Sequence, residues 1–141
     1  MNSANTVQVL LGSDSIKRVY MESLQEASLD IVCLAQNYQA VLGDFFDSAY
    51  APKLYGKIPT REILADTSAN RADSISKDGS KNPVKFLPAA LACESDMLLS
   101  AHKAVLISFG VSAPLAVVIT DSELVNSLRN QFNNLWQQLP R

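Results

Sequence analysis

The last third of the chain contains the pattern that most constrains its fold, because two apolar segments are followed there by an amphipathic one. The apolar segments are MLLSAHKAVLISFG and PLAVVITD, separated by a short Gly, Ser and Pro interruption. They predict two adjacent β-strands. The amphipathic segment repeats apolar residues at spacings of three and four, so we expect a helix packed on the sheet. This apolar stripe consists of Leu124, Val125, Leu128, Phe132, Leu135, Trp136 and Leu139.

Both ends of this helix are specified. Asp121 or Ser122 can accept hydrogen bonds from the first free backbone N–H groups, and Pro140 stops the chain after the last turn. The face opposite the apolar stripe is expected to be polar. It carries Asn126, Arg129, Asn130, Asn133 and Gln137.

The first half of the chain alternates strand and helix patterns. Residues 6–11 predict a strand that ends at Gly12, and a helix follows. Residues 29–35 form a nearly continuous apolar run, typical of a strand covered on both faces, which completes a βαβ unit. A second helix begins near Asn37. It either stops near Tyr50 or continues with a kink beyond Pro52 to Gly56. Residues 58–66 predict a third strand.

Residues 67–83 change in character, because Ser, Asn, Asp, Lys and Gly dominate there. They predict a mobile loop with room for one helical turn. Residues 84–87 (VKFL) return to the sheet. The predicted order is β-α-β-α-β-loop-β-β-β-α, an α/β fold. We expect residues 6–141 to form one domain, preceded by a disordered segment at residues 1–5.

The composition excludes several classes of protein. A formal net charge of -2 and a pI of ≈ 5.3 provide no basic field for direct nucleic-acid binding. Cys33 and Cys93 lack the spacing of a metal site or a disulfide framework, so the sequence predicts no metal site and fits a reducing cytoplasm. Neither a signal peptide nor an apolar run of membrane-spanning length is present.

No motif of a known enzyme class is complete in this sequence. GxSxG, HExxH, GxxxxGK[ST] and GxGxxG are all absent, which argues against serine hydrolase, zincin, P-loop and dinucleotide-binding activities. His102 is the single histidine. It precedes Lys103 on a predicted strand without an orienting acid nearby, so an ordinary strand residue is the simpler interpretation.

Three cations lie within otherwise apolar predicted strands: Arg61, Lys85 and Lys103. A charge in such a position pairs with an acid, points to solvent or lines a polar cavity. Salt bridges and ligand contacts therefore both remain open for these residues. Glu94 and Asp96 are assigned to a connecting loop.

Several short segments, in this order and spacing, resemble the effector half of TrmB-type transcription regulators. They include SIKRVY at 15–20, IPTREI at 58–63, VKFLP at 84–88, KAVLIS at 103–108 and FNNLW at 132–136. The resemblance covers residues 7–139. It implies a phospholipase D-like mixed sheet flanked by helices, without catalysis, that serves as a sensor and dimerisation module behind a winged helix.

The resemblance also implies that the catalytic motif is degenerate. In the phospholipase D motif H-x-K-x4-D, the histidine is the nucleophile, the lysine binds phosphate and the aspartate supports the histidine. With the lysine placed at Lys103, Ala101 takes the histidine position and Ser108 the aspartate position. His102 is one residue away, which on a strand would place it on the opposite face.

The sequence therefore predicts a non-catalytic, cytoplasmic, homodimeric sensor domain of a transcription regulator. We expect it to bind a small-molecule effector, such as a sugar or an anionic metabolite, through Arg61, Lys85 and Lys103, without a cofactor and without a membrane. DNA would be contacted only through a winged-helix domain absent from this chain. A divergent phosphodiesterase that uses His102 and a ligand-free interaction domain are the alternatives.

Overall fold

The computed structural model of the protein describes residues 6–110 and 112–141, so the prediction for residues 1–5 lies outside the described residues. In the described ranges, one mixed sheet of seven strands carries helices on both faces. The strands are β1 (Val7–Leu11), β2 (Leu29–Cys33), β3 (Thr60–Ala65), β4 (Val84–Leu87), β5 (Ser95–Leu99), β6 (Ala104–Ser108) and β7 (Leu115–Ile119). The helices are α1 (Ser13–Ser23), α2 (Gln39–Leu42), α3 (Ala51–Leu54), α4 (Ser68–Ile75) and α5 (Ser122–Gln138).

The strand order is β1-β7-β6-β5-β2-β3-β4, and it confirms the predicted α/β class with a mixed sheet. The β2–β3 and β3–β4 pairs are parallel, whereas the other four pairs are antiparallel. The strands of the expected βαβ unit, β1 and β2, run parallel, but β7, β6 and β5 lie between them. β1 is consequently an edge strand, paired only with β7 through a register that includes Val9↔Val117.

The two faces of the sheet bury separate apolar cores. On one face, α1 and the α2–α3 segment bury Ile16, Tyr20 and Leu54 against the strands. On the other face, α5 buries Val125 and Phe132 against residues of β3, β5, β6 and β7. α5 begins where the sequence predicts, because the Asp121 side chain accepts a hydrogen bond from the Leu124 backbone N–H at 3.0 Å. No helix in the described ranges is both long and apolar enough to cross a bilayer.

The long apolar segment at residues 97–110 is a hairpin, so its prediction as one strand was wrong. β5 and β6 pair antiparallel with the register Leu99↔Ala104. The backbone N–H of Ser100 donates to the Lys103 carbonyl at 2.9 Å and closes the turn. The short polar stretch SAHK interrupts two runs that each suffice for a strand, and this adds a seventh strand to the predicted six.

The loop predicted at residues 67–83 contains the eight-residue helix α4. The Thr67 hydroxyl accepts from the Asn70 backbone N–H at 3.1 Å and caps its first turn. The Asn70 amide also donates to the Ala65 carbonyl at 2.9 Å. The loop prediction was wrong because none of the residues of α4 is buried, so no apolar stripe marks the helix.

The second predicted helix takes the kinked alternative, with a break that the sequence analysis did not place. Gly43 has φ 60 and ψ -134, a conformation open only to glycine, and it ends α2. A π-helical turn at Phe46–Tyr50 then leads directly into α3. Pro52 lies in the first turn of α3, directly after the π-helical turn.

Candidate functional site

The three positions of the degenerate catalytic motif lie along the β5–β6 hairpin. Ala101 and His102 are exposed in the turn, Lys103 is half-buried at its end, and Ser108 is the last residue of β6. The argument that alternation along a strand turns His102 away from Lys103 does not apply, because both residues belong to the turn. His102 makes no hydrogen bond to any residue in the described part of the chain, so it lacks an orienting partner there.

Arg61 is at the centre of a polar network on the α5 face of the sheet. It lies directly opposite Asp30 in the β2–β3 pair. Its Nε donates to Asp30 Oδ1 at 2.7 Å and its Nη2 donates to Asp30 Oδ2 at 2.8 Å, a bidentate pair. Nη2 also donates to Asn133 Oδ1 at 2.8 Å. The hydrogen bonds to Asp30 and the charge of its carboxylate raise the pKa of the Arg61 guanidinium, and partial burial opposes that rise.

Arg129, on α5, is the second arginine of this network. Its Nη1 donates to Asp30 Oδ2 at 3.3 Å, and its Nη2 donates to the carbonyl of Ser100, which precedes the hairpin turn. Asp30, Arg61 and Arg129 line an open groove of ≈ 410 Å³ together with Lys81 and Thr60. The groove therefore contains three cations and one carboxylate.

Sequence analysis missed Arg129 and Lys81 as members of this groove. Arg129 and Asn133 were placed on the polar face of α5, yet both are half-buried and reach the Asp30–Arg61 pair. Their spacing of four residues puts them one turn apart beside the apolar stripe, and this was the available signal. Lys81 carried no signal, because it lies in a segment predicted to be a mobile loop.

Lys85 lies on β4 beside Trp136. Its ammonium donates to the Trp136 carbonyl at 2.5 Å and stands 4.7 Å from the indole ring centroid. The Arg61 guanidinium carbon is 5.7 Å from the same ring, so two of the three predicted site residues flank one tryptophan. Lys85 lines a different open pocket from Arg61, of ≈ 500 Å³.

Lys103 is separated from the other two predicted residues. It lines a small pocket of ≈ 20 Å³ on the α1 side of the sheet, together with Glu22, Glu26 and Ser100. Lys103 and the Arg61 groove are nevertheless at the same end of the sheet, since Arg129 contacts the hairpin through the Ser100 carbonyl. The structure thus brings Arg61 and Lys85 together around Trp136 and leaves Lys103 at the adjacent hairpin turn.

The chemistry available at this end of the sheet is recognition of a polar or anionic group. When a carboxylate fixes the positions of two arginine side chains, their remaining N–H donors are already in place. A ligand that binds them therefore costs little side-chain entropy. A general acid–base pair is not formed, because His102 has no carboxylate partner among the described residues. Within residues 6–110 and 112–141, no three His, Cys, Asp or Glu side chains group as metal ligands.

No protein-family model and no curated protein sequence matches this chain. Solved structures do match, and they define a phospholipase D-like fold. Nuc of Salmonella typhimurium, a phospholipase D family member, matches with a TM-score of 0.61 and 13% identity over 95% of each chain. A polyphosphate kinase of Porphyromonas gingivalis matches with a TM-score of 0.60 and 12% identity over 98% of this chain and 27% of that chain.

The fold is also TrmB-like. TrmBL2, an archaeal chromatin protein that binds DNA, matches with a TM-score of 0.58 and 16% identity over 99% of this chain. This chain spans 55% of the length of TrmBL2. At these identities the matches establish the fold, and they confirm the predicted resemblance at that level. A polyphosphate kinase, a phospholipase D family member and a DNA-binding chromatin protein therefore share the architecture.

Proposed function

We propose that the chain is a non-catalytic ligand-sensing and dimerisation domain of a transcription regulator. The observation that carries the proposal is the degenerate motif in a fold shared with phospholipase D enzymes. Ala101 occupies the position of the nucleophile and Ser108 that of its supporting acid, whereas Lys103, the phosphate-binding position, is retained. A site that keeps its anion contact without its nucleophile can bind but cannot form a covalent intermediate.

The proposed ligand is a small polar metabolite, either anionic or rich in hydroxyl groups such as a sugar. Arg61 is its principal contact, in the groove that Arg129 and Lys81 also line. Lys85 and Lys103 are proposed as further contacts, and because each lines a different pocket they would reach only a ligand that extends beyond this groove. The Asp30 and Asn133 hydrogen bonds leave the Arg61 Nη1 group without a protein acceptor in the described residues, so its two donors remain available. Arg129 Nε and the Lys81 ammonium likewise have no hydrogen-bond acceptor among the described residues, and both residues line the same groove.

Ligand binding would act on transcription by changing the arrangement of a dimer. Such coupling requires that the ligand bind one arrangement more tightly than the other. DNA would be contacted by a winged-helix domain elsewhere in the regulator, since this domain has a net charge of -2. The proposal places the protein in the cytoplasm.

The test is thermal unfolding against a panel of sugars, sugar phosphates and small carboxylates, repeated for any hit with Arg61→Lys and Lys103→Ala. A ligand at 100 times its Kd adds about 2.7 kcal/mol to the free energy of unfolding, a Tm rise of several degrees. Arg61→Lys keeps the charge and loses the bidentate geometry, so we expect the rise to shrink several-fold. Lys103→Ala should weaken the ligand with little loss of stability.

Lys57→Ala is the matched control, because Lys57 is exposed and lines none of the pockets described above. Its Tm rise should equal that of the wild type. Unchanged affinity in Lys103→Ala would remove Lys103 from the site. No rise with any compound, at concentrations up to millimolar, would contradict the sensing function.

A phosphodiesterase remains the enzymatic alternative, and the position of His102 is what favours it. His102 is exposed and adjoins Lys103 in the hairpin turn, so a dimer could bring two such turns together. This alternative predicts turnover of bis(p-nitrophenyl) phosphate that vanishes in His102→Ala. Absence of turnover in the wild-type protein is the outcome that the sensor proposal expects.

A ligand-free interaction domain is the other alternative. Such a domain is expected to expose an apolar surface, and β1 provides one. Val7, Val9 and Leu11 are 45%, 59% and 72% exposed and point to the α5 face of the edge strand; we call them the β1 apolar strip. The same strip supports the dimerisation that the sensor proposal requires, so ligand binding is the property that separates the two functions.

A further inference from the structure

A cavity of ≈ 70 Å³ lies on the opposite face of the sheet from the Arg61 groove, beneath α2, the π-helical turn and α4. Two buried carboxylates line it, Glu62 on β3 and Asp96 on β5, with exposed fractions of 1% and 5%. Asp96 was predicted to lie in a loop, yet it is part of a buried strand. A cavity of this size holds several atoms, because one water needs only about 10–15 Å³.

The two carboxylates differ in their partners. Glu62 accepts from the Tyr55 hydroxyl at 2.9 Å and from the Lys77 ammonium at 3.1 Å, so its charge is balanced. Asp96 accepts from the Tyr20 hydroxyl at 2.9 Å and from the Ala35 backbone N–H at 3.2 Å, which are both neutral donors. No Lys, Arg or His of the described chain forms an ion pair with Asp96.

A buried carboxylate without a counter-ion is costly, and a cation that binds beside it offsets part of that cost. The facing ionisable groups are Tyr20 from α1, Cys33 from β2, Glu62 from β3, and Asp73 and Lys77 from α4 and the turn after it. Three carboxylates thus oppose one ammonium. Burial raises the pKa of Asp96 to about 6, so the carboxylate is mostly ionised at neutral pH.

The chain itself demonstrates how this cavity accommodates an ammonium group. The Lys77 side chain is 6% exposed, and its Nζ lies 3.1 Å from Glu62 Oε1 and 3.4 Å from Asp73 Oδ2. It also stands 4.3 Å from the centroid of the Tyr55 ring, a cation–π contact. The rest of the cavity lining includes a carboxylate and aromatic residues rather than a further cation, among them Asp96, Tyr38 and Phe46.

A wider groove of ≈ 540 Å³ leads outward from the cavity, since both share Tyr38, Phe46, Asn70 and Lys77 among their lining residues. Its outer part carries Asp47, Asp73 and Asp78 with Lys77 as the one cation among its lining residues. Carboxylates therefore outnumber the one lining cation, Lys77, in both the groove and the cavity. A flexible chain with positive charges at both ends matches this arrangement.

We propose that this cavity binds an aliphatic diamine or polyamine, with one ammonium beside Asp96 and a second at the mouth near Asp47 and Asp73. The methylene chain packs against Tyr38 and Phe46. The site is separate from the Arg61 groove and does not depend on the function proposed above for that groove.

The test is isothermal titration with putrescine and spermidine at fixed ionic strength, together with an amide NMR spectrum of each complex. We expect saturable binding, with the Ala35 amide resonance shifting because its N–H donates to Asp96. Asp96→Asn should weaken binding at least ten-fold. Asp73→Asn, at the exposed mouth, should weaken spermidine several-fold and leaves both buried carboxylates, Glu62 and Asp96, in place, so it tests the site even if Asp96→Asn fails to fold.

Asp44→Asn is the matched control, because it removes one exposed carboxylate outside the cavity and the groove. Its affinity should equal that of the wild type. Equal weakening by Asp44→Asn and Asp73→Asn, or an equal effect of Mg²⁺ at the same concentration, would reduce the effect to general charge attraction and overturn the proposal. Absence of binding at millimolar amine would overturn it as well, whatever ligand the Arg61 groove accepts.

Discussion

Asp30 is the residue on which the geometry of the basic groove depends, because its carboxylate holds both Arg61 and Arg129. Asp30 is itself nearly buried, with an exposed fraction of 9%. Without it, two half-buried guanidinium groups would face each other unpaired. The groove thus holds two arginine side chains in fixed positions, and the Asp30 carboxylate offsets the repulsion between their charges.

Asp30→Asn should destabilise the protein by about 2 kcal/mol, since it removes charge-assisted hydrogen bonds from a partly buried site. Urea unfolding gives the measurement. Asp66→Asn is the control, because Asp66 makes the same bidentate pair with Arg71 at 2.7 Å but both side chains are largely exposed. The loss there should be clearly smaller. Equal losses would mean that burial does not strengthen the Asp30 network.

Asp96 gives a prediction of pH dependence. Its pKa of about 6 in the folded protein lies above the ordinary value of 3.8, so between these values the folded state binds more protons than the unfolded state. The contribution of Asp96 to stability is therefore most favourable below pH 4 and declines until about pH 7. The pKa of Glu62 shifts in the same direction, also through burial.

Asp96→Asn removes this titration. Relative to the wild type, the variant should gain up to about 3 kcal/mol in the free energy of unfolding between pH 4 and pH 7. Urea unfolding at four pH values measures the difference, and any lost hydrogen bond adds a constant offset. Parallel curves for variant and wild type would contradict a raised pKa of Asp96.

At the residue scale, the sequence singled out the cations within apolar strands, whereas it did not single out the acids that the structure places beside them or in the buried cavity. Arg61 was identifiable because a charge in an apolar strand needs a partner. Asp30 also lies in a nearly apolar run, but the identity of its partner depends on the pairing of β2 with β3 and on the position of α5. Asp96 was assigned to a loop, since only the β5–β6 register establishes that it is buried.

At the scale of elements, α4 illustrates how a helix can form without an apolar stripe. Its residues are all at least partly exposed, and it is held by the Thr67 cap and by polar contacts to β3. The buried ammonium of Lys77, just after the helix, connects the segment to Glu62. A charge pair therefore replaces the apolar packing that usually fixes a surface helix.

Lys77→Met should cost about 3 kcal/mol at pH 8, because it leaves the Glu62 carboxylate buried and unpaired. Thermal and urea unfolding provide the measurement, with the exposed Lys57→Met as control. Adding Glu62→Gln to Lys77→Met should recover part of the loss, since the double variant buries no unpaired charge. A double variant as unstable as the sum of the two single variants would contradict this pairing.

Elements with an apolar period were predictable, and those defined by turns or polar contacts were not. α5 was located by its stripe and its Asp121 cap, and β4 was located within one apolar run between polar segments. The β5–β6 turn was missed because only four residues separate two apolar runs, and the whole segment was interpreted as one strand. α4 was missed because polar contacts with β3, rather than its own sequence pattern, stabilise it.

At the scale of the whole molecule, the edge position of β1 leaves one side of the sheet unprotected. The β1 apolar strip is exposed along a strand whose outer hydrogen-bonding edge has no partner within the described chain. Edge strands of monomers are usually covered or carry inward-pointing charges, and within residues 6–110 and 112–141 β1 has neither protection. The strand order itself was beyond sequence analysis, because β1 pairs with β7 at the other end of the chain.

Val9→Lys should convert a dimer into a monomer, because it places a charge at the centre of the β1 apolar strip. Sedimentation equilibrium should then give a mass near 15.3 kDa, against twice that for the wild type. Ile75→Lys is the control, since Ile75 is 85% exposed on α4, far from β1 in the sheet. A wild-type monomer, or a dimer that persists in Val9→Lys, would contradict the assignment of the β1 apolar strip as the dimer interface.

Trp136 is the only tryptophan of the chain, and it lies between the Arg61 and Lys85 cations and stacks on Phe132. The protein therefore carries one tryptophan fluorophore, which can be excited selectively over its four tyrosines and whose emission responds to the charges beside the indole ring. An anion that enters the Arg61 groove changes those charges, whereas an amine in the cavity on the opposite face does not. Intrinsic fluorescence thus gives a label-free optical signal that distinguishes occupation of one site from occupation of the other.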